Sequence, residues 1–240
     1  MRDSSTSLGM TKIVSVAILA LFASICTIVA QEMPTPSATS SPSPLPTATP
    51  TPTRSVRISF LPPPLEGTIS LGIYDGSGKL VRVLVQEGDV DEFEVGPDAL
   101  VMKWDGKNDH EEDLPAGKYH ARGYMVGRLK VEDLGQAETP PKDAPDHVQV
   151  KLVSNPLSKE ARLNVDLAVG FAEEKIFLKT TDGLPLFSVI EAPELVSVGI
   201  TKSGEKAVDI LVHSGAGSDS VRVSNIDKMM AFDCGEFELK

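Results

Sequence analysis

The sequence is poor in aromatic residues, in cysteine and in positive charge, and each shortage excludes something. Aromatics are 5% of the 240 residues, with one Trp, so a broad stacking surface for sugars or bases is not available. Lys and Arg number 23 against 34 Asp and Glu, a formal net charge of -11. That acidity argues against nucleic acid and against anionic lipid headgroups. The two cysteines are Cys26 and Cys234. Cys26 lies in an N-terminal apolar run, and removal of that run would leave Cys234 alone, with no intramolecular disulfide. The four histidines (His110, His120, His147 and His213) are scattered, too few for a Cys/His metal centre. No GxSxG elbow, phosphate-cradling glycine loop or dinucleotide fingerprint occurs. Acids are plentiful, but none sits in an apolar setting that would mark a glycosidase pair.

Residues 1–30 read as a signal peptide, with Arg2 and Lys12 ahead of an uncharged run from Ile13 to Ala30. The same run is long enough to remain as an uncleaved membrane anchor. A lipoprotein anchor on Cys26 is disfavoured, because bulky Ile25 precedes the cysteine. Residues 31–54 are a Pro/Ser/Thr-rich linker, expected to be disordered. Proline fixes φ and lacks an amide donor, so neither helix nor central strand forms there. An extended, polyproline-like spacer fits this composition, as does an O-glycosylated stalk. Export to the periplasm, envelope or medium follows from the order of signal and stalk.

From residue 55 the pattern changes to short β segments. Val56 to Phe60 and Thr68 to Tyr74 alternate apolar and polar with period 2. Asp75-Gly76-Ser77-Gly78 is turn chemistry, and Lys79 to Val85 returns as the hairpin partner. Phe93 to Val95, Leu100 to Trp104 and Gly117 to Val126 complete a unit over residues 55–130. Trp104 should fill its core. Asp105-Gly106 turns the chain out of the strand, and Pro115 and Gly117 set a second turn before Tyr119.

The run Ile73-Tyr74-Asp75-Gly76-Ser77-Gly78-Lys79-Leu80-Val81-Arg82-Val83-Leu84, followed by Trp104-Asp105-Gly106-Lys107-Asn108-Asp109 and Leu114-Pro115-Ala116-Gly117-Lys118-Tyr119, resembles the FlgD-type immunoglobulin-like domain. The likeness covers Ser55 to Gly127. It implies an antiparallel β-sandwich of about seven strands. It also implies assembly, surface display or spacing rather than catalysis, with Tyr74, Asp75, Gly78, Trp104, Asp105, Gly106, Pro115, Gly117 and Tyr119 as structural residues. The family commonly has Gly near the position of Glu111. Glu resists positive φ, so the loop from Asn108 to Asp113 is expected to depart from the family conformation.

A polar, proline-containing connection is expected over residues 131–146. Residues 147–240 then carry a second set of strands, from Val148–Val153 and Leu163–Leu167 to Ser220–Val223 and Met229–Phe232. Their spacing suggests a sandwich or propeller-like blades, and about two blades are too few to close a propeller. The expected fold class is therefore all-β: an immunoglobulin-like antiparallel β-sandwich followed by a second antiparallel β unit.

Asp105, Asn108, Asp109, Glu111, Glu112 and Asp113 gather oxygens in one loop, as a calcium site would. Their spacing is not that of an EF-hand, and a solvated acidic hairpin is the preferred reading. No catalytic residue, metal or cofactor is expected. The functional expectation is a non-catalytic exported bacterial module that meets a protein or cell-envelope partner. It would touch membrane only through the N-terminal anchor, if that is retained. The alternatives are an accessory glycan-binding part of a carbohydrate-active system and a calcium-dependent adhesin fragment.

Overall fold

Residues 54–137, 145–159 and 162–240 are described by the structure, a computed structural model. The expected signal peptide, almost all of the expected stalk and residues 138–144 of the expected connection lie outside them. Within them the fold is nearly all strand. In chain order these are β1 (Val56–Phe60), β2 (Gly67–Asp75), β3 (Leu80–Gly88), β4 (Glu94–Val95), β5 (Leu100–Trp104), β6 (Gly117–Gly127), β7 (Lys130–Gln136) and β8 (His147–Lys151). There follow β9 (Asn164–Ala172), β10 (Lys175–Thr180), β11 (Pro185–Glu191), β12 (Leu195–Lys202), β13 (Ala207–Ser214), β14 (Gly217–Ser224) and β15 (Met229–Leu239).

Period-2 alternation sorts the side chains into layers. On β2, Ile69, Leu71 and Ile73 face one core with Phe60, Leu100, Trp104 and Phe232. These residues join a sheet of order β1-β5-β4 to one of order β15-β6-β2-β3. In immunoglobulin lettering the two sheets read B-E-D and G-F-C-C′, which is a sandwich of that type.

The strand that completes this sandwich is the last of the chain. β15 pairs along the whole of β6, from Met229 opposite Val126 to Leu239 opposite Gly117. The second unit therefore does not follow the first, as the sequence suggested. It is inserted between the sixth and seventh strands of the first. The β6/β15 ribbon runs on into β7 and β14, where Lys130 lies opposite Ser224. At the neck, the Gly127 amide donates to the Lys228 carbonyl at 2.7 Å. Such closely spaced ends are what tolerated insertions require. Residues 131–136, expected in a linker, are part of β7.

The inserted unit has two four-stranded antiparallel sheets, β11-β10-β9-β8 and β12-β13-β14-β7. Their inward residues, Leu167, Ile176, Leu186 and Ile210 among them, share one core with Tyr124, Val126, Met229 and Ala231 from the other face of β6 and β15. The β15-β6-β2-β3 sheet thus contributes to cores on both sides. The free edge of β15 is covered as well. Val153 N donates to Met229 O at 3.1 Å, Asn155 Nδ2 to Ala231 O at 3.1 Å, and Arg162 Nη2 to Phe232 O at 2.7 Å. Covering an edge in this way blocks unwanted strand pairing.

The β9–β10 hairpin turns on Glu173 and Glu174, with φ of 51° and 62°. A two-residue turn with both φ positive normally takes Asn-Gly, because an L side chain strains the left-handed region. Replacing Glu173-Glu174 by Asn-Gly is expected to stabilise the protein by about 1–2 kcal/mol. A urea titration checks this as a higher midpoint at unchanged slope.

Candidate functional site

The residues picked out by the resemblance take up packing and turn roles. At the β2–β3 turn, Asp75 Oδ1 accepts from the Ser77 amide at 2.9 Å, the Ser77 hydroxyl at 2.6 Å and the Lys79 amide at 3.1 Å. The Ser77 hydroxyl, with these amides, holds the Asp75 carboxyl below its ordinary pKa. Gly78 closes the turn at φ 83°.

Trp104 is 1% exposed. Its ring meets Tyr119 edge-on at 5.2 Å and Phe237 at 5.7 Å, and its Nε1 donates to Lys107 O at 2.8 Å. The Asp105-Gly106 turn makes that bond possible by folding residue 107 back over the indole. Gly106 has φ 80°, and a Cβ there would stand 2.9 Å from Leu239 Cδ1 on β15. Tyr119, at the start of β6, donates its hydroxyl to Pro115 O at 2.8 Å. This is the geometry of the tyrosine corner in immunoglobulin-type sandwiches. Tyr119→Phe is expected to cost about 1 kcal/mol in a urea titration, with the fold retained. Gly117 has open space beside it and an ordinary φ, and nothing in the structure explains a glycine there.

The loop after Trp104 corrects one expectation. Glu111 does enter the left-handed region, at φ 61°. Two contacts hold it there: its amide donates to Asn108 O at 3.1 Å, and Arg82 Nη1 donates to its carboxylate at 2.8 Å. Asn108 Oδ1 accepts from the amides of His110 and Glu112. The proposed calcium oxygens turn to different partners. Asp105 Oδ1 accepts from the Lys107 amide, Asp109 Oδ1 accepts from the Val83 amide on β3, and Glu111 pairs with Arg82. Asp113 closes the loop by bridging to Lys107 through the backbone. Among the described residues no group of three or more Asp, Glu, His or Cys side chains is placed to hold a metal ion.

A polar concave surface near the motif is a shelf of about 280 Å³ lined by Tyr74, Asp75, Lys118, His120, Arg122 and Asp233, among others. Alternate positions of β6 put Lys118, His120 and Arg122 on one face. Each has an acidic partner. His120 Nε2 lies 2.7 Å from Asp233 Oδ2, Arg122 Nη2 lies 3.3 Å from Asp182, and Lys118 Nζ lies 2.7 Å from Glu236. Arg122 also stacks over the Tyr74 ring at 4.0 Å. Burial, aided by the Asp182 carboxylate, pushes the Tyr74 hydroxyl well above its usual range.

Chemically the shelf offers an imidazole–carboxylate pair, but no Ser, Thr or Cys lines it. Cys234 follows Asp233 at a bulge in β15 and packs with the core residues, where burial drives its thiol pKa up. A buried thiol of raised pKa is a poor nucleophile.

Sequence reasoning missed this strip. The alternation Lys118, His120, Arg122 was visible. Its partners were not, because Asp233 lies 113 residues from His120 and Asp182 lies 60 from Arg122. The chain matches no family model, no curated protein and no solved structure.

Proposed function

We propose that this chain is an exported bacterial immunoglobulin-like module, of the FlgD type, that acts without catalysis in protein interaction, surface display or assembly. The observation that carries this reading is Trp104. The one indole of the chain is 1% exposed and bonded to its own turn, so it is a core residue and not a ligand platform. The shelf supports the same reading, since its cations are matched by acids and no Ser, Thr or Cys lines it. Loops and sheet edges are then the natural contact surfaces. On β7 most side chains are exposed, Leu134 among them.

The test has two arms. A photo-crosslinking side chain at Leu134, in the exported protein, is expected to trap a discrete envelope protein. The same probe at Lys79 is expected to trap none. Turnover of a glycan, peptide or ester panel by the purified chain, lost in His120→Ala, would overturn the non-catalytic reading. A melting temperature raised by calcium and lowered by chelator would favour the adhesin alternative instead.

A further inference from the structure

A second concavity, of about 430 Å³, opens where the inserted unit meets its neck. Its wall carries Lys151 at the end of β8, Lys202 at the end of β12, Glu205 and Lys206 from the turn before β13, and Asp227 from the neck. Leu152 and Val153 supply an apolar side, and Val153 is 40% exposed. The volume lies within the range of small-ligand sites, roughly 300–1,000 Å³.

The groove is braced rather than loose. Lys206 Nζ sits 3.0 Å from Asp227 Oδ2, and the Ile226 amide donates to Lys206 O at 3.2 Å, tying the turn to the neck. Lys202 Nζ donates to Gln149 O at 3.3 Å, tying β12 to β8. Three lysines thus line one groove on a chain whose net charge is -11.

From this combination we infer that the groove binds an acidic sugar, one bearing a carboxylate or phosphate group. Each part of the wall matches one part of such a ligand. The lysines pair with the oxyanion, by charge-assisted hydrogen bonds. The carboxylates of Glu205 and Asp227 accept from ring hydroxyls, which are donors that a simple anion lacks. Val153 packs against the apolar face of the ring. A bare phosphate would leave the acids opposed to it, and an uncharged sugar would offer the lysines no oxyanion. The site is separate from the shelf and does not rest on the module reading.

Calorimetric titration of the full chain tests the assignment with three probes: a galacturonate oligomer, an uncharged galactose oligomer of the same length, and inorganic phosphate. Binding of the galacturonate oligomer is expected to exceed that of the other two by about ten-fold or more, and to weaken with added salt. Lys151→Gln, an exposed change, is expected to lower it by about ten-fold, whereas Lys79→Gln, on the other sandwich, leaves it unchanged. Circular dichroism of each variant confirms the fold. To separate carboxylate from phosphate sugars, a hexose phosphate is run beside the galacturonate oligomer, and tight binding of either supports the site. No binding of either, equal binding of the uncharged oligomer or of inorganic phosphate, or indifference to Lys151→Gln would overturn it.

Discussion

Trp104→Ala is expected to destabilise the protein by about 3–5 kcal/mol. The indole is among the largest fully buried side chains, and its ring contacts reach β6 through Tyr119 and β15 through Phe237. Truncation opens a cavity at the meeting point of both sheets and frees the Lys107 carbonyl that Nε1 satisfies. Against a typical total of about 5–15 kcal/mol, that loss brings the fold close to its threshold. Far-UV circular dichroism in urea reads it as a large drop in midpoint. Trp104→Phe keeps an aromatic ring and is expected to cost less, about 1–3 kcal/mol. If the indole were a ligand platform, either change would leave the midpoint nearly untouched.

Ending the chain at Lys228 is expected to have a still larger effect. It removes β15, and with it Met230, Phe232 and Leu239 from the sandwich cores and Met229 and Ala231 from the inserted core. Four large apolar side chains at about 1.5–3 kcal/mol each amount to roughly 6–12 kcal/mol, comparable to the whole stability of a domain. Both units are therefore expected to lose cooperative unfolding, and Trp104 emission to shift toward that of solvent-exposed indole. Two units in tandem would behave otherwise: the truncation would leave the sandwich around Trp104 intact and its emission blue.

The strands around Trp104 were legible because their apolar residues alternate with polar or small ones, although β2 is buried on both faces. Ile69, Leu71 and Ile73 announce their face without any knowledge of the partner sheet. β7 was not legible. It is an edge strand whose residues are mostly exposed, so Lys130 to Gln136 shows no apolar period and reads as a linker. The nested topology left no local trace either. Met229 to Phe232 is a short apolar run that looks the same in any sheet, and only its pairing with β6 assigns it. The strand also runs past the expected end at Phe232, through a bulge and Gly235 at φ 87°, to Leu239.

The glutamates at positive φ teach a related point. Propensity argues against Glu in the left-handed region. At positions 173 and 174 the pairing of Ala172 with Lys175 leaves a two-residue connection, for which strand twist favours a turn with both φ positive. At Glu111, the Asn108 carbonyl and Arg82 hold the turn. As for the candidate site, Trp104, Asp105, Gly106 and Tyr119 were readable from local motif chemistry. The His120–Asp233 pair and the lysine groove depend on contacts between distant segments, which no local pattern encodes.

In the nested topology β15 belongs to the sandwich of β2 and β6 while the inserted unit hangs from the same ribbon. Native-state hydrogen exchange tests this most directly. The amides of 230–233 that pair with β6 are expected to exchange only through the global opening that also releases the paired amides of β2 and β6. If they exchanged at a separate, lower opening free energy, in step with β12 and β13 and out of step with β2 and β6, the nested arrangement would be contradicted.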